Sequence, residues 1–289
     1  MGDGAGGAVT LPPFDLHRAE SVDEAKELLE RYGEDAAVIC GGTELLLLLK
    51  LGFAAYGHLV DIKPIGELGG IRAENGALVV GSTVTHREIE RSPLVLDLLP
   101  SLAAMERRVA NIRVRNVGTL GGNLCFSDPH SDPATFLLAL DAEAEYDRRR
   151  VPLSEFLVGP YETALRHGQL LTAVRIPVPQ PGTAVAHRKL AFHERPAATV
   201  ACAVRVEGGA VAEARIAVGS VGARAVRATA AERALTGCAV DDTAVVAGAA
   251  ALAAEASEAV DDANGSAAYK EQLVRVLVAR CFADATTSG

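Results

Sequence analysis

Apolar and polar positions alternate along this chain in two rhythms. Their changes mark the elements. In "SVDEAKELLERYG" the leucines and alanine recur at helical spacing. Ser21 and Glu24 form an S-x-x-E capping signal, and Gly33 supplies a stop, so a helix is predicted there. The short apolar run "AAVIC" predicts a buried strand. It turns at Gly41-Gly42, after which Thr43 is placed to cap a helix through "ELLLLLKLG". "HLVDI" and "ALVVG" predict further strands, and "THREIER" and "VLDLLPSLAAMERRV" predict helices. Past the proline-rich "IPVPQPG" the texture changes. "VACAVRVEGG" and "AVAEARIAVGSVG" predict two strands joined at a Gly-Gly turn. Alanine-rich helices follow at roughly residues 226–235 and 243–260, and then in "AAYKEQLVRVLVARCF". The organisation predicted is a flexible tail over 1–10, a small α/β unit over 11–65, a larger α/β unit over 66–178 and an α+β unit over 185–285. No solenoid repeat is present.

Composition narrows the function. The chain has 289 residues, long for one core, with 49% hydrophobic and 22% charged residues, an ordinary globular balance. Its formal charge of −9 and the lack of a basic block argue against a nucleic-acid partner. The cluster Arg148–Arg150 reads as a solvated turn. No apolar run is long enough to span a bilayer, and the N-terminus lacks the charged and apolar regions of a secretory signal, so a cytoplasmic location is expected. Cys40, Cys125, Cys202, Cys238 and Cys281 form no C-x-x-C pair. They are expected to be reduced, mostly buried thiols, with no zinc or iron–sulfur site. Gly2, Gly4 and Gly7 satisfy G-x-G-x-x-G, but without the strand and helix that a dinucleotide fingerprint needs.

The candidate chemistry lies in two Gly-Gly pairs, each beside hydroxyl groups: "CGGTE" and "TLGGN". A strand that runs into a glycine turn and then a helix start leaves backbone N–H groups unpaired and pointing toward one place. A Cβ there would hold an anion off the backbone. The expected phosphate donors are the amides of Cys40–Thr43 and Leu120–Asn123, helped by Thr43, Thr119 and Asn123. Other polar clusters receive plainer readings. Asp128 and His130 in "SDPHSDP" read as a polar loop, and His86 and Glu90 in "THREIER" as a solvated helix face. "HERP" (193–196) reads either as a surface turn or as an acid that reaches a bound cofactor. Cys40 and Cys125 read as small packing residues, and "GSVG" at 219–222 as a strand-to-helix connection.

The segments "AAVICGGTELLLLLK", "HLVDIKPIGELGGI", "ALVVGSTVTHREIERSPLV", "IRVRNVGTLGGNLCFSDPHSDPATFLLALDAE" and "LLTAVRIPVP" occur in that order. With "RIAVGSVGARAVRATAAERALTG" and "SAAYKEQLVRVLVARCF", this pattern resembles the FAD-binding subunit family of the molybdenum hydroxylases. That family includes the medium subunit of aerobic carbon monoxide dehydrogenase and the flavin domain of xanthine dehydrogenase. The resemblance implies an α+β architecture. Two α/β FAD-binding subdomains, of the PCMH or vanillyl-alcohol-oxidase-like kind, precede a C-terminal α+β domain like that of carbon monoxide dehydrogenase flavoproteins. It implies non-covalent FAD, with Ile39, Cys40, Gly41, Gly42, Thr43, Glu44 and Leu45 on one side of the pyrophosphate. Thr119, Leu120, Gly121, Gly122 and Asn123 lie on the other side. Asp132, Leu171 and Lys189 match positions near the cofactor, where Lys189 would place a cation by the flavin ring. The implied role is electron transfer, with a [2Fe–2S] small subunit and a molybdopterin large subunit as partners. No residue is expected to attack the organic substrate, and no metal is expected in this chain. The sequence departs from the family at Pro196, where an acid often stands, and it lacks a cysteine-rich insertion found in one branch. Two other readings stand beside this one: a standalone flavin enzyme acting on a small molecule, and a scaffold without flavin.

Overall fold

The computed structural model describes residues 11–192 and 195–287. The glycine-rich tail with its G-x-G-x-x-G, and His193 of "HERP", lie outside the described residues. The first elements are β1 (Asp15–Arg18), α1 (Val22–Tyr32), β2 (Ala36–Ile39), α2 (Leu45–Leu51) and β3 (His58–Asp61). The three strands form a parallel sheet in the order β1-β3-β2. Parallel neighbours need crossover helices, and α1 buries Ala25 and Leu29 on this sheet. The hydroxyl of Ser21 accepts from the Glu24 N–H at 3.1 Å, as the sequence predicts. The Glu24 carboxylate, however, accepts from Glu20 rather than from Ser21. Gly33 ends the helix at φ +56°, a value that favours glycine.

The chain continues through β4 (Ile71–Glu74), β5 (Ala77–Gly81), α3 (His86–Arg91), α4 (Pro93–Leu98), α5 (Pro100–Glu106), α6 (Ile112–Val117), α7 (Leu120–Phe126) and α8 (Asp132–Leu138). It then forms β6 (Glu143–Tyr146), β7 (Arg149–Pro152), α9 (Leu153–Phe156), β8 (Leu157–Gly159), β9 (Glu162–Thr163) and β10 (Leu171–Pro177). The strands β4-β5-β10-β6-β7 make an antiparallel sheet in that order, with β10 returning to its centre. The helix predicted over "VLDLLPSLAAMERRV" is two helices. Pro100 has no N–H to continue the ladder, and Leu99 before it leaves helical geometry at φ −150°. Arg148 sits at φ +59° in the exposed β6–β7 turn.

The last unit comprises β11 (Thr183–Ala191), β12 (Pro196–Glu207), β13 (Ala210–Gly219), β14 (Val226–Arg227), α10 (Thr229–Leu235), α11 (Thr243–Ala256) and α12 (Ala267–Thr287). Its sheet is antiparallel, in the order β11-β12-β13-β14. Gly208 and Gly209, at φ +58° and +80°, make the predicted hairpin turn. "GSVG" leads first into β14 and only then into α10, a correction to the predicted strand-to-helix step. Strand β12 is buried on both faces. Val200, Cys202 and Val204 pack into the cluster with α10, α11 and α12, whereas Ala201 and Ala203 join the core of the preceding unit. This double burial explains why β12 reads as a continuous apolar run. Among the described residues, no helix is long and apolar enough to cross a membrane.

Helix α8 packs on β12 and β13, and its Phe136, fully buried, meets His187 of β11 edge to face. Phe136→Ala is expected to destabilise the protein by about 3–5 kcal/mol, through lost burial and the cavity left behind. Urea unfolding of the variant against the parent, followed by circular dichroism, checks this.

Candidate functional site

The two Gly-Gly segments, distant in sequence, meet in space. The contact is between backbones. A Cβ on Gly41 would lie 2.3 Å from the Val117 carbonyl oxygen and 2.8 Å from the Gly118 Cα. Only glycine allows the turn after β2 to lie on the end of α6. Beside this seam opens a cleft of about 410 Å³. Of the residues predicted from sequence, Ile39, Cys40, Gly41, Gly42, Thr43, Glu44, Leu45, Thr119, Gly121, Gly122, Asn123, Asp132 and Leu171 line it. Leu120 and Lys189 do not. Leu120 is fully buried in the hydrophobic core, and Lys189 stands behind Asp132.

The second pair is not a loop. Thr119 caps α7, its hydroxyl accepting from the Gly122 N–H at 3.0 Å, so both glycines lie in the first helical turn. Gly121 is needed for packing, because a Cβ there would fall 2.5 Å from the Ser82 carbonyl oxygen. The amides expected to bind phosphate on this side are already engaged. Leu120 donates to Val84, Gly121 to Ser82, and Asn123 to the Thr119 carbonyl. The opposite wall differs. Thr43 makes no cap for α2, whose first residue follows Glu44 in αR geometry with no side-chain cap bond. The N–H groups of Gly42, Thr43, Glu44 and Leu45 therefore have no protein acceptor among the described residues. Gly42 holds φ +70°, which helps turn this row of donors. The backbone donors available to a ligand thus come from one wall, while the other provides a fixed surface.

A few charged side chains stand among a largely apolar lining. The Lys189 ammonium donates to Asp132 Oδ2 at 2.5 Å and to the Arg108 carbonyl at 2.7 Å. Asp132 is buried and lines the cleft, and its Oδ1 has no hydrogen-bond partner. The expected cation by the cofactor therefore acts through a carboxylate rather than facing the cleft itself. His187 Nε2 lies 2.8 Å from the Thr199 hydroxyl and 3.6 Å from Asp132 Oδ1. Burial pushes His187 down to about 4, so the ring is neutral at pH 7.

Sequence reasoning missed Arg195. Its guanidinium lies 3.3 Å from Glu44 and 3.2 Å from Asp128, joining the first and second units at the cleft from just before β12 in the third. Burial, opposed by Arg195, raises the Glu44 carboxyl above its ordinary value. The signal was present only as a lone arginine in a departure from the family pattern. His130 lines the cleft, as its loop reading suggested, with Nδ1 2.9 Å from the Pro196 carbonyl. The expected solvated face of α3 is overturned. His86 and Glu90 are buried and do not pair with each other. His86 lines the cleft and bonds through Nδ1 to Glu106 at 2.7 Å, while Glu90 binds Arg87 and Arg115. Helices α5 and α6 cover the face that periodicity left open. No group of three or more metal-ligating side chains suited to a metal occurs among the described residues.

The residues present fit a dinucleotide. A row of free amides beside a glycine seam suits phosphate, and two lining residues, Ser82 and Asp132, carry buried oxygens without a partner. Comparison with known proteins agrees. Residues 12–179 match the family model described as FAD binding domain in molybdopterin dehydrogenase, and 186–285 match the CO dehydrogenase flavoprotein C-terminal domain. The chain is 36% identical to the carbon monoxide dehydrogenase medium chain of Hydrogenophaga pseudoflava, over 94% of this chain and 97% of that one. It is 32% identical to the 6-hydroxypseudooxynicotine dehydrogenase complex subunit alpha of Paenarthrobacter nicotinovorans, over 95% of each. A solved carbon monoxide dehydrogenase structure from Hydrogenophaga pseudoflava superposes with a TM-score of 0.93 at 36% identity, covering 96% of this chain and 99% of that one. Quinoline 2-oxidoreductase from Pseudomonas putida 86 superposes at 0.91 and 31% identity, covering 96% and 99%.

Both cleft cysteines fit the packing role. Burial raises the Cys40 thiol above its ordinary value and pushes that of Cys125 up to about 12. A thiol with a raised value stays protonated through neutral pH, and only the thiolate reacts. At pH 8, Cys125 is therefore expected to alkylate more than about a hundredfold more slowly in the folded protein than in denaturant. Its rate should climb as pH approaches 12. Timed iodoacetamide labelling with peptide mass spectrometry provides the check.

Proposed function

Because this chain belongs to the family of FAD-binding domains in molybdopterin dehydrogenases, we propose that it is the flavin-carrying electron-transfer subunit of a molybdenum hydroxylase. The observation that carries this reading is the cleft at the glycine seam, with free amides on one wall and a prebuilt helical wall opposite. In it, the amides of Gly42, Thr43, Glu44 and Leu45 hold the phosphates, with the Thr43 hydroxyl beside them. Gly121 and Gly122 let α7 lie close, so that the cofactor rests against backbone. Asp132, with Lys189 holding its other oxygen, offers Oδ1 to a donor on the cofactor. Ser82 offers its hydroxyl in the same way. Leu171 gives the cleft an apolar surface from the central strand of the second sheet.

When bound, FAD would supply a carrier able to store two electrons and pass them to an acceptor. The chain's own part is to bind the cofactor without a covalent link, orient it and limit its exposure. The relatives are named as a medium chain and as a complex subunit, which supports a place in a larger assembly. In that assembly a small subunit with [2Fe–2S] clusters and a large subunit with molybdopterin supply the electrons. Substrate oxidation belongs to the large subunit.

The purified chain is expected to be yellow, with the absorption of oxidised flavin and one FAD per chain. Organic substrates added to it alone should leave the flavin oxidised. A colourless protein that cannot be reconstituted, or prompt bleaching by substrate without partners, would overturn the reading. Gly41→Ala places a methyl group against the Val117 carbonyl and forces the seam apart. It is expected to weaken FAD binding more than about tenfold, a loss of at least about 1.4 kcal/mol, measured by quenching of flavin fluorescence.

A further inference from the structure

The cleft presents a problem of charge. A dinucleotide brings two phosphate negative charges, while the lining side chains include the carboxyl groups of Glu44, Asp128 and Asp132. Among the described lining residues, the only basic side chains are His86, His130 and Arg195. Arg195 is shared between Glu44 and Asp128. His130 is taken by the Pro196 carbonyl on one nitrogen and faces Asp262 at 4.0 Å with the other. That leaves His86.

His86 stands at the glycine seam. Its N–H donates to the Gly118 carbonyl at 3.0 Å, and its ring carbon Cδ2 lies 3.4 Å from where a Cβ on Gly118 would be. Cδ2 is bonded to Nε2, so the outer nitrogen of the ring is on the side of the seam. Nδ1 is held by Glu106 Oε2 at 2.7 Å, while Nε2 has no protein partner among the described residues. Both side chains are almost wholly buried, His86 at 3% exposure and Glu106 at 0%. Burying this pair costs free energy, and Glu106 Oε1 is left without a partner. A carboxylate behind an imidazole fixes which nitrogen is inward and leaves the other to face the cleft.

We propose that His86, oriented by Glu106, is the charged hydrogen-bond donor to the phosphate groups of the bound dinucleotide. The proposal rests on the flavin reading above and names a residue that reading did not use. Glu106 is the positioning residue: its carboxylate offsets the charge that His86 carries when Nε2–H faces the anion. The other ionisable groups around the ring are committed or remote. Arg115 on α6 and Arg87 on α3 bind Glu90, and Arg107 at the end of α5 also lies near Glu90. Asp97 on α4, with Arg91 on α3 and Arg113 on α6, is exposed. Elsewhere on the cleft lining stand the raised thiol of Cys40 and the Lys189-bound Asp132.

Two substitutions separate the two ring nitrogens. His86→Asn keeps a donor for Glu106 and removes the outer nitrogen. His86→Gln keeps a donor near the outer position and gives up the Glu106 bond. The deflavinated chain, its two variants and Glu106→Gln are titrated with FAD, with ADP and with riboflavin, and their melting temperatures are recorded. His86→Asn should bind FAD and ADP about tenfold more weakly, with a near-parental melting temperature. Riboflavin, which has no phosphate, should bind all forms alike. His86→Gln should keep more affinity than His86→Asn, and Glu106→Gln should bind more weakly than wild type. If His86→Asn binds FAD and ADP as tightly as wild type, or if riboflavin suffers the same loss, the role assigned to His86 is wrong while the flavin reading stands. If wild type binds no FAD at all, both are wrong.

Discussion

Everything in the site depends on two backbones approaching closer than any side chain permits. The turn after β2 rests on the end of α6 because Gly41 has no Cβ to meet the Val117 carbonyl. The first unit has a three-stranded parallel sheet and the second a five-stranded antiparallel one, and their strands do not pair. They are joined instead by side-chain contacts such as Lys26 with Asp147 and His167 with the Leu29 carbonyl, and by this glycine contact. The cleft is the space those joints leave. Removing the close approach would cost little core area, yet it would separate the two walls on which a dinucleotide depends.

The third unit contributes differently. Its helices α10, α11 and α12 cover one face of its sheet, and the other face is covered by the second unit. Small residues, Ala201, Ala203 and Ala217, make that second packing possible. From this rigid placement β11 presents Lys189 to Asp132, and the start of β12 brings Arg195 to Glu44 and Asp128. The third unit thus sets the charge of a cleft whose walls belong to the first two. A fixed scaffold that places a few polar groups around an apolar hollow is the usual design of a small-molecule site.

Much of this was legible in the sequence, for reasons that differ by residue. The strand "AAVIC" followed by Gly41-Gly42 announced a turn, because alternatives to glycine at φ +70° are rare. Family likeness then led to Asp132 and Leu171, which no local pattern singles out. The reading failed where tertiary contacts decide. "TLGGN" looked like a loop because two glycines disfavour helix, yet Thr119 caps one, and the close packing of Gly121 on Ser82 outweighs the propensity cost. His86 and Glu90 looked solvated because a six-residue helix shows no clear apolar stripe, and α5 and α6 lie over it. Arg195 was invisible because its partners, Glu44 and Asp128, are distant in sequence.

The inequality of the two walls has a consequence for how a ligand is received. On the α7 side each amide from Leu120 to Asn123 already has its acceptor, so that surface has the same shape whether or not anything lies against it. On the α2 side the amides from Gly42 to Leu45 depend on solvent until an anion replaces it. What docking changes is therefore the solvation of one short turn, while the hydrogen bonds of the opposite wall are completed during folding.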